Sequence, residues 1–239
     1  MSNMKTGPAL ILALGLTVGA GVLGWLLADG AVAVKDRERV VSVKGLAERE
    51  VPADVVIWPI QFTAADNDLT RLYDTVRDGN VRVREFLEGF GISADDISIG
   101  TPAVTDKSAQ MYGGGPAPEF RYTATQTVTV YSLDVPRVRT AMQKAADLGR
   151  SGLVLGGGGW DTQVEYLFTG LNEIKPAMVE EATTMAREVA QKFAEDSASR
   201  LGKIKNASQG QFSIVDRDRF NPHIKKVRVV STVEYYLSD

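Results

Sequence analysis

Bond-making chemistry in this chain would fall to carboxylates such as Asp54, Asp66, Asp161 and Glu165, and the chain has one histidine, His223. Two carboxylates that converge on a cleft can divide acid and base work when their surroundings separate their pKa values. An enzyme acting on small molecules through such a pair is therefore one reading. The simpler reading makes each of the four a turn or strand-end residue. The chain has no cysteine, which excludes disulfides, a thiol nucleophile, thiolate metal sites and a lipid-bearing cysteine. One histidine cannot build a histidine-rich zinc or copper site, and no D-x-D-x-D-G calcium loop is present. With no thiol, haem-attachment motif or metal cluster to cycle electrons, a direct peroxidase or thiol antioxidant role is set aside. No catalytic residue, metal or cofactor is assigned, and whether a small ligand binds is left open.

Of two glycine runs, one invites a phosphate-loop interpretation. Gly156 to Gly159 lacks the G-x-x-x-x-G-K-[ST] spacing and is followed by a strand pattern instead of a helix, so it is read as a turn or bulge. The other run lies in MYGGGPAP (111–118), a surface loop with Tyr112 at its tip as a candidate partner contact. Arg217, Arg219, His223, Lys225 and Lys226 form a basic cluster that would suit lipid phosphate or an acidic partner, although a solvated hairpin tip is the commoner use.

The elements that must position these residues follow from periodicity. VVSVKGLA (40–47), a polar Glu-Arg-Glu turn and a strand from Val51 read as a hairpin, with Pro59 confining the second strand to an edge, a bulge or a ladder break. Trp58 reads as core. Asp68 caps a helix carrying Leu72, Val76, Val83 and Leu87, which Gly91 stops. A strand is expected at 97–104. The longest strand, 120–132, sets Tyr122, Ala124, Gln126, Val128 and Val130 against a ladder of threonines. Asp134 caps a second helix with a stripe at Val138, Met142, Ala145 and Leu148, ended by Gly149. A third helix, 172–201, is alanine-rich. Its row Ala182, Ala186, Ala190, Ala194 and Ala198 implies close packing on a sheet or against a neighbouring subunit, and these residues are the candidate oligomer contacts. Two more strands are expected at 211–216 and 226–237.

Ahead of all this runs an uncharged segment, Thr6 to Ala28, which as a helix spans about 35 Å, enough for a hydrocarbon layer of about 30 Å. Leu10, Ile11, Leu12, Leu14, Leu16, Val18, Val22, Leu23, Trp25, Leu26 and Leu27 form the candidate membrane anchor, with Trp25 near the far headgroup zone. A secretory signal is the competing reading, since Ala31-Val32-Ala33 supplies a small-x-small cleavage site, but its hydrophobic region would be shorter. Residues 1–34 are taken as anchor or uncleaved signal and 35–239 as the folded body, large enough for one generous domain or two small ones. Lys35, Arg37, Arg39 and Lys44 follow the segment while Lys5 and the amino terminus precede it, so the count of basic residues alone would leave the body in the cytoplasm. A net charge of −3 argues against general nucleic-acid binding.

VSVKGLAEREVPADVVIWPIQF, EFLEGFGISADDISIGTPAV and EEATTMAREVAQKFAEDSASRLGKI together resemble the SIMPL (DUF541) family over about residues 40–237. They match its opening strand, glycine and V-x-P-D pattern, and its alanine-rich helix ending in Leu-Gly. Ala53 separates Pro52 from Asp54, a departure from the usual Pro-Asp pair. The resemblance implies an α+β fold, mainly antiparallel strands with three helices behind the membrane helix, and export across a bacterial cytoplasmic membrane. In some members it also implies ring- or channel-like assemblies and a link to oxidative-stress defence. Export takes precedence over the basic-residue count, so the body is expected on the periplasmic side of the inner membrane, or exported soluble if the leader is cleaved. A self-associating envelope scaffold or partner-binding protein is the leading expectation, and the carboxylate enzyme is the alternative.

Overall fold

The computed structural model describes residues 6–36, 39–110, 119–156, 159 and 162–238; at 6–10, 31–36 and 110 only the backbone is described. Its elements are α1 (Thr6–Asp36), β1 (Val40–Pro52), β2 (Val55–Asp66), α2 (Leu69–Gly89), β3 (Ile97–Ile99), β4 (Ala103–Asp106), β5 (Tyr122–Ser132), α3 (Val135–Gln143), α4 (Ala146–Arg150), β6 (Val154–Leu155), β7 (Glu165–Leu167), α5 (Leu171–Asp196), β8 (Arg200–Gln209), β9 (Ser213–Asp216) and β10 (Ile224–Ser238). The architecture is α+β, as expected. Two compact units share the chain. One takes residues up to Glu48, Lys175–Phe212 and the chain from Arg228; the other takes Arg49–Ile174 and Ser213–Val227.

In the first unit, β1 and β8 flank β10, with β8 antiparallel to it from Ser231 opposite Gln209 to Ser238 opposite Arg200. Val43 and Ala47 point inward from β1 and are buried with Val233 and Tyr235 of β10 beneath α5. The expected β1–β2 hairpin is corrected here: β1 runs unbroken through Glu48, Arg49 and Glu50, and β1 and β2 belong to different sheets. Charged residues suit the outward positions of a strand, and Arg228 pairs with Glu48 at 3.6 Å. The strand β8, absent from the sequence reading, lies at a sheet edge with almost every residue exposed, so no buried face imposed a period-two pattern on it.

The second unit is built on β2 and β5, paired antiparallel from Val56 opposite Ser132 to Asp66 opposite Tyr122. β3 and β4 add to β5 as two short strands where one was expected, interrupted at Gly100-Thr101-Pro102. The buried Gln126 donates its amide to the Gly100 carbonyl at 2.8 Å there. On its other side β2 meets β7 at 55–57 and β6 at 62–63. The Gln61 carbonyl faces that side and accepts from the Gly156 N–H at 2.7 Å. By strand alternation Pro59 presents its donor-less nitrogen to the same side, inside the gap, so it interrupts the ladder as expected.

Asp68 and Asp134 cap α2 and α3, accepting from the Arg71 and Arg137 N–H groups, each at 3.0 Å. Val83 and Leu87 of α2 and Val138 of α3 are buried with Trp58, Ile60 and Phe62 of β2 and with Val128 and Val130 of β5, while Leu72 and Val76 of α2 are buried with Ala64 of β2 and Ala124 of β5. The stripe assigned to one second helix is shared between α3 and α4, broken at Lys144-Ala145.

Candidate anchoring and binding surfaces

No part of α1 from Ile11 to Gly30 is buried against protein. Ile11, Leu12, Leu14, Leu16, Val18, Val22, Leu23, Trp25, Leu26 and Leu27 are all exposed, and Leu10 lies in the helix with its side chain outside the described residues. The helix is long and apolar enough to cross a membrane, and a signal sequence has the same character.

The alanine row is core. Ala182, Ala186, Ala190 and Ala194 have no solvent exposure, so as oligomer contacts they are replaced by the first of the two packing modes expected, on the sheet. Gly45 makes this possible: a Cβ there would sit far inside contact distance of the Ala182 carbonyl oxygen and 2.6 Å from the Ala186 nitrogen. Ala198 is a separate correction. The helix ends at Asp196, and Ala198 is exposed in a left-handed conformation at φ 53°. The Ser199 N–H reaches back to the Ala194 carbonyl at 2.8 Å to close the turn. Glycine normally marks such a position, and its absence hid the stop. What α5 does show to solvent is a row of larger side chains, Met185 (46%), Val189 (37%) and Phe193 (55% exposed). Tyr112 lies outside the described residues.

Asp54 and Asp66 do not converge. Asp54 precedes β2 and Asp66 ends it, so twelve residues of strand, about 40 Å, separate them. Asp54 accepts from the Thr169 N–H at 2.9 Å, the Thr169 hydroxyl at 2.9 Å and the Gly170 N–H at 3.0 Å. These donors lie just before α5, so the carboxylate caps that helix across the fold, where a negative charge also meets the positive end of the helix dipole. Asp66 is held by Arg71 at 2.9 Å and by the Asp68 N–H. Glu165 is exposed on β7, and Asp161 lies outside the described residues.

Two members of the basic cluster are paired with carboxylates. Arg217 pairs with Asp218 at 2.9 Å and Glu50 at 3.8 Å, and the buried Lys225 pairs with Asp216. His223 is half-buried, with its carbonyl accepting from the Ala53 N–H at 2.9 Å. Its ring meets Tyr166 of β7 edge to face, with centroids 6.1 Å apart, and nothing in the linear pattern connects the two.

Several surface carboxyls are held below their ordinary range by arginines: Asp66 by Arg71, Asp106 by Arg121, Asp134 by Arg137, and Asp218 by Arg217, the last to about 2. Folding depresses these pKa values, so the stabilisation is complete above the unfolded value of about 3.9 and is lost as pH falls toward the folded values. Thermal unfolding followed by circular dichroism should show a steady midpoint from pH 7 to about pH 5 and a decline below about pH 4. A midpoint that holds or rises in acid would contradict these pairings.

A family model described as SIMPL, a protein of unknown function (DUF541), matches residues 41–233, most of the chain and parts of both units. No curated protein matches the chain.

Proposed function

The chain belongs to the SIMPL (DUF541) family, and from that premise we propose a membrane-tethered, extracytoplasmic protein that works by self-association, as an envelope scaffold or partner-binding assembly. The observation that carries the reading is α1, whose apolar surface has no protein cover over Ile11–Gly30 and calls for lipid. Export, implied by the family resemblance, sets the orientation against the count of Lys35, Arg37, Arg39 and Lys44. Tethering each chain in one plane raises the effective concentration of its neighbours, so modest contacts suffice. Repeated head-to-tail contacts close into a ring when their rotation permits. The row Met185, Val189 and Phe193 supplies an apolar contact strip where the buried alanines cannot. Without a cysteine, any connection to oxidative-stress defence is indirect.

Light scattering of the full chain in detergent, combined with protease access in spheroplasts, tests both halves. We expect a protein mass that is a multiple of 25.8 kDa and cleavage of the body from outside the cytoplasmic membrane. A strictly monomeric species, or a body protected until the membrane is broken, would overturn the proposal. Imaging of the purified particle then gives its symmetry.

A further inference from the structure

Strands β2 to β7 of the second unit form one sheet with two unlike faces. Residues of α2, α3 and α4 pack on one of them, against Ile60 and Phe62 of β2 and Val128 and Val130 of β5. Successive residues of a strand alternate, so the side chains between these positions point the other way. Thr123, Thr125, Thr127 and Thr129 of β5 stand there in a row, and pairing with β2 sets Gln61 opposite Thr127 and Thr63 opposite Thr125. β3, β4 and β6 extend the same face with serine, alanine, threonine and valine.

Charge sets this face apart. Asp, Glu, Lys and Arg make up 24% of the chain, and the outward face of the other unit's sheet carries Lys44, Glu48, Arg228 and Glu234. Such alternation is how a sheet face ordinarily meets water. On the threonine face the one charged position that β2 to β7 contribute is Glu165, opposite Ile57 at a corner of the sheet. Depletion of charge marks the centre of a protein–protein interface. It also permits self-pairing, because a two-fold axis lays a patch against its own copy and any charge near the axis meets its like. A sugar ring would need aromatic side chains to stack on, and β2 and β5 present one exposed on this face, Tyr131.

The dimensions fit a stable contact. β2 and β5 pair over eleven residues in a sheet four strands wide, about 37 Å by about 19 Å. That is about 700 Å2 per copy, close to the roughly 800 Å2 that each partner buries in a standard interface.

We propose that the threonine face is the contact between two copies of the chain, their sheets stacked face to face across a two-fold axis. Packed sheets stand about 10 Å apart. Threonine suits that spacing, since its methyl group fills space while its hydroxyl pairs with one on the neighbouring strand or the facing sheet. The contact shares with the function proposed above only the premise that copies associate. It lies in the other unit from the α5 strip, and it closes after two copies where a head-to-tail contact continues.

Light scattering of the full-length protein in detergent tests the contact through Thr125→Lys, which sets like charges across the axis and is expected to halve the mass of the assembly. As a change on a face open in the single copy, it should leave the denaturation midpoint nearly unmoved. The chain has no cysteine, so an introduced thiol reports one position. Among Thr63→Cys, Thr125→Cys and Thr127→Cys, oxidised with copper phenanthroline, the position nearest the axis is expected to give a disulfide-linked pair, while Glu85→Cys on the exposed side of α2 stays single. A monomeric parent would overturn this contact and the association proposed above together. A parent that assembles, with a folded Thr125→Lys of undiminished mass, would overturn this contact alone; should that variant fail to fold, the lack of a linked pair in all three thiol variants does the same. Retention of the parent on insoluble chitin, lost in Thr125→Lys at unchanged mass, would assign the face to a neutral glycan instead.

Discussion

Gly45→Ala is expected to destabilise the first unit by about 3 kcal/mol, the upper part of the range for overpacking a core. Gly45 lies between Val43 and Ala47 on the inward face of β1. The added methyl group would be driven into the main chain of α5, against the Ala182 carbonyl and the Ala186 nitrogen. A side chain in the way can rotate aside; two atoms of a helix backbone cannot. Relief therefore requires α5 to lift from the sheet, which opens the packing of Ala186 and Ala190 against Val43, Val233 and Tyr235. Denaturant unfolding of the detergent-solubilised protein reads the loss as a lower midpoint. Leu46→Ala, at the neighbouring outward and exposed position, should change stability by no more than about 0.5 kcal/mol. Equal midpoints for Gly45→Ala and the parent would mean that α5 is not seated on β1.

Asp54→Ala should cost about 2 kcal/mol, because one substitution strands three donors at the start of the longest helix outside the membrane segment. The carboxylate takes both main-chain N–H groups and the hydroxyl of Thr169-Gly170, and removing it leaves them to find water. Asp54→Asn keeps one acceptor oxygen and gives up the charge, so its cost falls between alanine and the parent. Thr169→Ala removes only the hydroxyl and should cost less than either. The order Asp54→Ala, Asp54→Asn, Thr169→Ala, from largest loss to smallest, is the signature of a cap. An alanine variant as stable as the parent would remove Asp54 from this role. A carboxylate occupied in this way has its lone pairs committed to the fold, which accounts for the aspartate of Val51-Pro52-Ala53-Asp54 without assigning it acid or base work.

Together these residues give the family motifs a physical meaning. The glycine in VSVKGLAE permits close contact with the alanine-rich helix in one unit, and the aspartate of VPAD caps the beginning of that helix in the other. The motifs were legible as a set, but their partners lie more than a hundred residues away. Features that depend on near neighbours were read correctly: the caps at Asp68 and Asp134, the alternation of β5 and the ladder break at Pro59. Readings that needed a distant partner failed. Glu48-Arg49-Glu50 looked like a turn because charge suits turns, yet Glu48 and Glu50 take the outward positions of a strand, which accept charge equally well, and Arg49 between them is half-buried. The stop after Asp196 was missed because alanine, not glycine, occupies the left-handed position. Tertiary contacts there outweigh a local penalty of about 1–2 kcal/mol.

The apolar leader and the lack of cysteine are legible in the residues alone, since composition and short-range periodicity are properties of neighbouring residues, and the α+β class followed from the family resemblance carried by the motifs. The folded chain was needed to see that the alanine row is core, that Asp54 caps a helix, and that Tyr166 meets His223 edge to face. Each of these depends on which distant backbone or charge fills the space opposite a side chain. A sheet and its helices settle that by packing as a whole, and no stretch of the chain encodes it alone.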